Sequence, residues 1–383
     1  MNKRVVELFA GVGGFRLGLE KNGFEVVFGS QFEPGKKKQH AFDCYSTRFT
    51  TGIHSNQDIA TVTSDDIPEH EVLVGGFPCQ DYSVARTQAN GLEGKKGVLF
   101  WEIERIVREK NPKFVLLENV DRLLKSPAKQ RGRDFGIMLA AFNNLGYGIE
   151  WRVINAADYG FAQRRRRVFI FAYKLNTNYA SDNDEFFDSK FPVELVKSES
   201  ETVLHNDLVE MSEEFQYNFM NSGTMVKGKV HTYEIVPKTT PSLTLRDVLE
   251  TEVDEKYYLS GDLEKWQYLK GAKKIERESA TGHKYIFSEG ALAFPDPLDR
   301  PARTMLTSES SKNRSTHVIE DPQTKRLRVL TPVECERLNG FPDNWTDSGM
   351  TEKFRYFTMG NALVVGLIEK MGKRLSDIID NEK

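Results

Sequence analysis

An apolar run, Val5-Val6-Glu7-Leu8-Phe9-Ala10, breaks at Gly11-Val12-Gly13-Gly14 and resumes as Phe15-Arg16-Leu17-Gly18-Leu19-Glu20. That pattern is a strand, a glycine turn and a helix. The alternation continues through the next 150 residues. Runs of buried type recur at Glu25-Val26-Val27-Phe28, Val72-Leu73-Val74-Gly75-Gly76-Phe77, Phe114-Val115-Leu116-Leu117, Trp151-Arg152-Val153-Ile154 and Val168-Phe169-Ile170-Phe171-Ala172. Between them, 98–110 and 134–145 carry apolar residues at helical spacing. Strands alternating with helices predict an α/β fold on a doubly wound, mostly parallel sheet, with ligands at the carboxyl ends of its strands.

The regularity ends near residue 176. From 177 to 341 periodic helices are few and turn residues many, as in Asn221-Ser222-Gly223-Thr224 and Phe294-Pro295-Asp296-Pro297. A second, smaller, irregular and β-rich domain is expected there. Residues 342–383 regain α/β character and would complete the first domain, 1–176.

Charge divides along the same lines. Residues 1–176 hold 26 Lys and Arg against 20 Asp and Glu, whereas 181–214 hold 11 acids against 2 bases. A near-neutral total of -3 therefore hides a basic first part, suited to a polyanion such as DNA, and an acidic stretch that DNA would repel. No run approaches the roughly 18 apolar residues of a membrane span, and no basic-then-apolar leader opens the chain. Cys44, Cys79 and Cys335 form no CxxC pair, so neither a disulfide framework nor a cysteine metal site is expected. A reduced, cytoplasmic protein without a metal is the expectation.

Four motifs sit where such a sheet places chemistry. The glycine turn lets backbone approach a ligand, and Glu33 follows Gly13 by 20 residues, where an acid can hold ribose hydroxyls. The turn lacks the full GxGxxG, so a plain tight turn is the alternative. Pro78-Cys79-Gln80 follows a strand and offers a nucleophilic thiolate, or else a buried structural thiol. Glu118-Asn119-Val120 ends the next strand; its carboxylate can bond a ring nitrogen, or serve as a cap or ion-pair partner. In Gln163-Arg164-Arg165-Arg166-Arg167, alternate arginines share a face, so Arg165 and Arg167 could point into the cleft, with a phosphate-binding or solvated role as the alternative.

The order and spacing of these segments, with Arg303-Thr304 and Gly360-Asn361-Ala362, resemble the DNA (cytosine-5)-methyltransferase family, unpermuted, over about 1–175 and 295–375. The resemblance implies a Rossmann-like, S-adenosylmethionine-dependent methyltransferase fold and a bacterial type II modification enzyme. It further implies methyl transfer to carbon 5 of a flipped cytosine in a short duplex sequence, leaving S-adenosylhomocysteine. Cys79 would attack carbon 6 and Glu118 would bond ring nitrogen 3. Arg165 would support the base's carbonyl oxygen and the nearby carboxylate, with Asn119 and Arg167 assisting.

The same resemblance assigns cofactor contacts to Phe9, Ala10, Gly11, Val12, Gly13, Gly14, Asp58, Ile59, Pro78, Leu99, Asn361 and Ala362. Where many members place a glutamate followed by an aromatic for the ribose, this chain has Gln31-Phe32. Gln80 and Ser83, with Lys95 and Lys96, are implied to meet DNA on a loop that closes over it. The 177–341 region would be the target-recognition domain, with Lys227, Lys229, Lys273, Lys274, Arg277, His283 and Lys284 as candidate DNA contacts. Double-stranded DNA is the expected partner, with a monomeric enzyme and a cognate restriction endonuclease acting separately. Two alternatives stay open: a tRNA cytosine-5 methyltransferase and a catalytically silent DNA-binding protein. Against the first stand Phe77 before the Pro-Cys pair and the long variable region; against the second stands the intact Cys79, Glu118 and Arg165 set.

Overall fold

The computed structural model describes residues 2–77, 99–182, 185–279 and 282–382. Its centre is a ten-stranded sheet in the order β3-β2-β1-β4-β5-β7-β6-β9-β10-β8. The first five strands are β1 (Arg4–Leu8), β2 (Glu25–Ser30), β3 (Ile53–Ser55), β4 (Val72–Gly76) and β5 (Phe114–Val120), and all pair in parallel. The chain leaves β1 towards β2 and β3, then returns to place β4 and β5 on the other side. That reversal opens a crevice beyond the carboxyl ends of β1 and β4, where an open α/β sheet binds its ligand.

Strand β1 shows why these residues form a two-sided core. Its β-branched valines suit a pleated strand, and Val5, Val6 and Leu8 are all fully buried. Val5 packs with Phe15, Leu19, Val72 and Phe114, while Val6 packs with Phe28, Leu73, Phe100 and Ile103. Neighbouring side chains thus enter opposite layers, as a period of two requires when helices cover both faces. On the Val5 side lie α1 (Gly14–Glu20) and the C-terminal helix α9 (Val365–Asn381). On the Val6 side lie α3 (Leu99–Lys110) and α4 (Arg133–Asn144). The helix α2 (His40–Arg48) follows β2.

The sheet does not stop at residue 176. Strands β6 (Tyr147–Asn155) and β7 (Arg166–Lys174) add antiparallel, and β8 (Val193–Val203), β9 (Ser222–Val226) and β10 (Lys229–Pro237) continue from them. The expected division at 177 therefore falls inside the sheet. A local reason is Gly223: a Cβ there would stand 2.3 Å from Trp151 Cζ2, so only glycine lets β9 dock against β6. Acidic β8 becomes the edge strand, with four strands between it and β5.

Beyond β10 the chain is less regular. It contains α6 (Leu263–Lys270), following α5 (Leu208–Glu214), the ribbon β11 (Lys273–Glu278) with β12 (Lys284–Glu289), and the short pair β13 (Val318–Glu320) with β14 (Leu327–Val329). Helices α7 (Pro332–Leu338) and α8 (Glu352–Asn361) then lead back to α9. Among the described residues no helix is long and apolar enough to cross a membrane.

Candidate active site

The glycine turn leaves β1 in a conformation that ordinary residues resist. Phe9, Gly11 and Gly13 have φ of 54°, 57° and 88°, so the left-handed region is used three times within five residues. Gly13 has a second constraint: a Cβ would lie 2.2 Å from Phe49 Cε2. The Gly11 amide donates to Gln31 Oε1 at 2.8 Å, and the Ala10 amide donates to the Ser30 carbonyl at 2.9 Å. The residues that end β2 thus pin the turn.

Beyond this turn lies a cavity of about 880 Å³. Its wall includes Phe9, Ala10, Gly11, Val12 and Gly14 from the turn, Gln31 and Phe32 after β2, and Asp58 and Ile59. Leu99 at the start of α3 and Asn361 and Ala362 at the end of α8 close it. Twelve of the fourteen residues assigned to the cofactor by resemblance therefore share one cavity. Gly13 does not line it, and Pro78 lies outside the described residues. Glu33 also reaches the wall, its Oε2 accepting from the Ala41 amide at 3.3 Å, so both polar candidates after β2 are present. Sequence reasoning missed Phe357 and Thr358 on the same wall; the signal available was their place one turn before Gly360-Asn361 on α8.

The same cavity reaches Gly76, Phe77, Glu118, Asn119 and Arg167. Parallel pairing sets Gly76 beside Glu118, and a Cβ on Gly76 would stand 3.1 Å from Glu118 Oε2. Asn119 is buried, its Nδ2 donating to the Phe77 carbonyl at 2.8 Å, so β5 fixes the end of β4. Cys79 follows two residues later in sequence; Cys79, Gln80, Ser83, Lys95 and Lys96 all lie outside the described residues.

The two arginines part company here. Arg167 Nε lies 2.8 Å from Glu118 Oε1, at the point where β7 pairs with β5. Arg165 is buried off the cavity: Nη1 donates to the Met305 carbonyl at 3.2 Å and Nη2 to the Gly360 carbonyl at 2.9 Å. Both arginines turn inward, as alternation predicts, but only Arg167 lines the cavity. Strand β7 begins only at Arg166, and Arg165 lies in the preceding segment, held by the chain that follows Ala302. The carboxylate contact expected for Arg165 is made by Arg167. Burial holds the Arg165 pKa down at about 9, with Arg167 repelling it further and Glu118 opposing the shift. Burial pushes the Glu118 pKa up, against the pull of Arg167 and Arg165. A desolvated carboxyl of raised pKa beside a fixed cation can present either a hydrogen-bond donor or a charge to a ring nitrogen.

Gln163 completes the frame, its Oε1 accepting from the Met305 amide at 3.0 Å and its Nε2 donating to Asn339 Oδ1 at 3.0 Å.

A family model described as C-5 cytosine-specific DNA methylase matches residues 3–377. The chain belongs to that family. It is 54% identical to the type II methyltransferase M.Sau3AI of Staphylococcus aureus, across 99% of this chain and 97% of that protein. It is 34% identical to M.HhaI of Haemophilus parahaemolyticus, across 96% and 92%. Among solved structures it is similar to the S. pombe Dnmt2 methyltransferase, with a TM-score of 0.59, 17% identity and 98% of each chain covered. It is also similar to a putative DNA modification methyltransferase from an E. coli prophage, with a TM-score of 0.56, 20% identity and 99% of each chain covered. At those identities the two structures speak for the fold alone. The chain is a DNA cytosine-5 methyltransferase on a Rossmann-like sheet, and neither the tRNA-specific nor the silent reading is favoured.

Proposed function

We propose that this enzyme is the modification methylase of a type II restriction-modification system, acting as a cytoplasmic monomer on one cytosine within a short duplex sequence. Its cognate endonuclease would act separately. The observation that carries the chemistry is the Glu118–Arg167 pair, which faces the same cavity as the glycine turn.

The cavity fits S-adenosylmethionine by its donor set and size. Asp58, Gln31 and Glu33 offer hydroxyl-binding groups, Phe32 and Ile59 offer apolar faces for a purine, and the Gly11 turn admits close backbone approach. When bound there, S-adenosylmethionine supplies an electrophilic methyl group.

The protein's own residues must make cytosine a nucleophile. The base is flipped out of the helix, at a cost of a few kcal/mol of unstacking. The Cys79 thiolate adds to carbon 6, forming an S–C bond and moving the ring electrons towards carbon 5 and ring nitrogen 3. Glu118 donates its hydrogen bond to that nitrogen, where charge develops. Arg167 holds the Glu118 carboxyl in place and supports the base's carbonyl oxygen. Asn119 fixes the strand end that leads to Cys79, and Arg165 fixes the segment that carries Arg167. Once carbon 5 is methylated, its proton passes to a water molecule, the C5–H electron pair re-forms the C5–C6 double bond and the S–C6 pair returns to sulfur, restoring the aromatic ring and the free thiolate.

A duplex with 5-fluorocytosine at the target position tests this sequence, because fluorine does not leave carbon 5 as a proton does. The enzyme should form a covalent complex with that duplex that survives denaturing gels, and Cys79→Ala should form none. A wild-type enzyme that methylates normal duplex but never becomes trapped would contradict the covalent step.

A further inference from the structure

Between Gln163 and Arg167 burial alternates. Gln163 and Arg165 are buried, Arg167 is half-buried, and Arg164 and Arg166 are exposed. The inward residues are accounted for by the Met305, Gly360 and Glu118 contacts. The outward pair has no such structural duty. Arg166 meets Asp121 at 3.2 Å with both groups largely exposed, a pairing of little worth in water. The Arg164 guanidinium has no ion pair or hydrogen bond among the described residues, although its backbone is clamped. Its amide donates to the Ala302 carbonyl at 2.8 Å, and its carbonyl accepts from Thr304 Oγ1 at 2.6 Å.

Arg164 lines a second cavity, of about 500 Å³, whose other wall is the 239–242 segment. Thr239, Thr240 and Ser242 line it, and their hydroxyls make no hydrogen bond among the described residues. Asp158 also lines it, with its Oδ1 engaged by Asn155 Nδ2 at 2.9 Å. The cavity lies at the catalytic end of the sheet: Asn155 pairs with Arg166, and the adjacent Arg167 pairs with Val120. A guanidinium and hydroxyls, beside the strand end that carries Arg167, match a phosphodiester and not an apolar ligand.

We propose that Arg164, with the hydroxyls of Thr239, Thr240 and Ser242, binds a backbone phosphate of the DNA strand that carries the target cytosine. This rests on the reading of the main cavity as a DNA cytosine site. The contact grips the strand from both sides of the cleft, because Arg164 comes from the catalytic edge and the hydroxyls come from the segment after β10. It carries no base information, so it holds the backbone in register while other residues read sequence.

Equilibrium binding to the cognate duplex and to an unrelated duplex, over roughly 50 to 200 mM salt, tests the proposal. Arg164→Gln, Thr240→Val, Arg164→Lys and a control, Lys373→Gln on α9, would be compared with wild type. For Arg164→Gln the slope of log K against log salt should become shallower by about 0.9, with similar loss for both duplexes. Thr240→Val should weaken binding of both duplexes with little change in slope, Arg164→Lys should restore the slope, and Lys373→Gln should leave it unchanged. An Arg164→Gln slope equal to wild type, or equal loss in the Lys373→Gln control, would overturn the proposal. Failure of the wild type to methylate duplex DNA would instead overturn the functional reading on which it rests.

Discussion

Arg167 Nε and Glu118 Oε1 stand 2.8 Å apart across the β5–β7 pairing, with the two side chains only 17% and 12% exposed. Removing one partner of so enclosed a pair leaves the other without its counter-charge. Glu118→Gln should lower the rate of methyl transfer by about 10²-fold or more while DNA affinity changes little. Arg167→Lys should retain more of that rate than Arg167→Ala, since a lysine keeps the charge and loses the guanidinium fork. Single-turnover methylation with saturating DNA measures each step directly.

Arg165 should behave differently. Its guanidinium supplies donors to the carbonyls of Met305 and Gly360, and both acceptors lose them in Arg165→Met. Stability should fall by about 2–4 kcal/mol. Urea unfolding compared between Arg165→Met and Arg167→Lys reads this, the former showing the larger drop in midpoint.

Gly76 reports on the same carboxyl from the other side. The methyl of Gly76→Ala would come within 3.1 Å of Glu118 Oε2, so the carboxyl has to shift by a few tenths of an ångström. Catalysis should suffer by about 10-fold or more, as small misplacement of a reacting group does, with unfolding temperature nearly unchanged. Steady-state rates beside thermal unfolding of the one variant decide it.

The glycine turn makes a separate prediction about cofactor affinity. Gln31→Ala removes the acceptor that holds the Gly11 amide, and Gly13→Ala combines a φ of 88° with a Cβ 2.2 Å from Phe49 Cε2. Calorimetric titration with S-adenosylhomocysteine should show weaker binding for both variants. The Gly13 variant should also lose stability, because both its backbone and its neighbour are strained.

Far from the site, Glu150 gives the fold a pH dependence. Its carboxyl accepts from the Tyr179 hydroxyl at 2.5 Å and the Phe186 amide at 2.7 Å, and burial pushes its pKa up to about 8. The folded chain therefore keeps a proton that the unfolded chain releases near its ordinary value of 4.5. That contribution to stability is complete below the ordinary value and is lost as pH rises through about 8. Thermal midpoints across about pH 6 to 9 should fall in wild type and fall less in Glu150→Gln, whose amide keeps a proton-bearing nitrogen at every pH.

Much of this architecture was legible in the residues. Strand β1, the glycine turn and α1 read directly because a doubly buried strand must be apolar throughout and its turn must contain residues free to adopt positive φ. The cavity wall was legible for the same reason, since strand ends and turns carry it. Two features were not. The docking of β8, β9 and β10 onto β6 depends on long-range antiparallel pairing, and nothing local in 193–237 distinguishes a sheet extension from a separate domain. The split between Arg165 and Arg167 turned on long-range contacts: both face inward, but the Met305 and Gly360 carbonyls, far away in sequence, hold Arg165 off the cavity. Glu33, by contrast, was readable from its spacing after Gly13, and Gln39 fixes it there by accepting the Glu33 amide hydrogen bond at 2.7 Å.

The most direct test of the account is transfer of labelled methyl from S-adenosylmethionine to duplex DNA, followed by bisulfite sequencing, with tRNA and Cys79→Ala as parallel reactions. The account predicts label on duplex DNA alone, at 5-methylcytosine within one short recurring sequence, and none with Cys79→Ala. Label on tRNA instead of duplex, or undiminished transfer by Cys79→Ala, would contradict it.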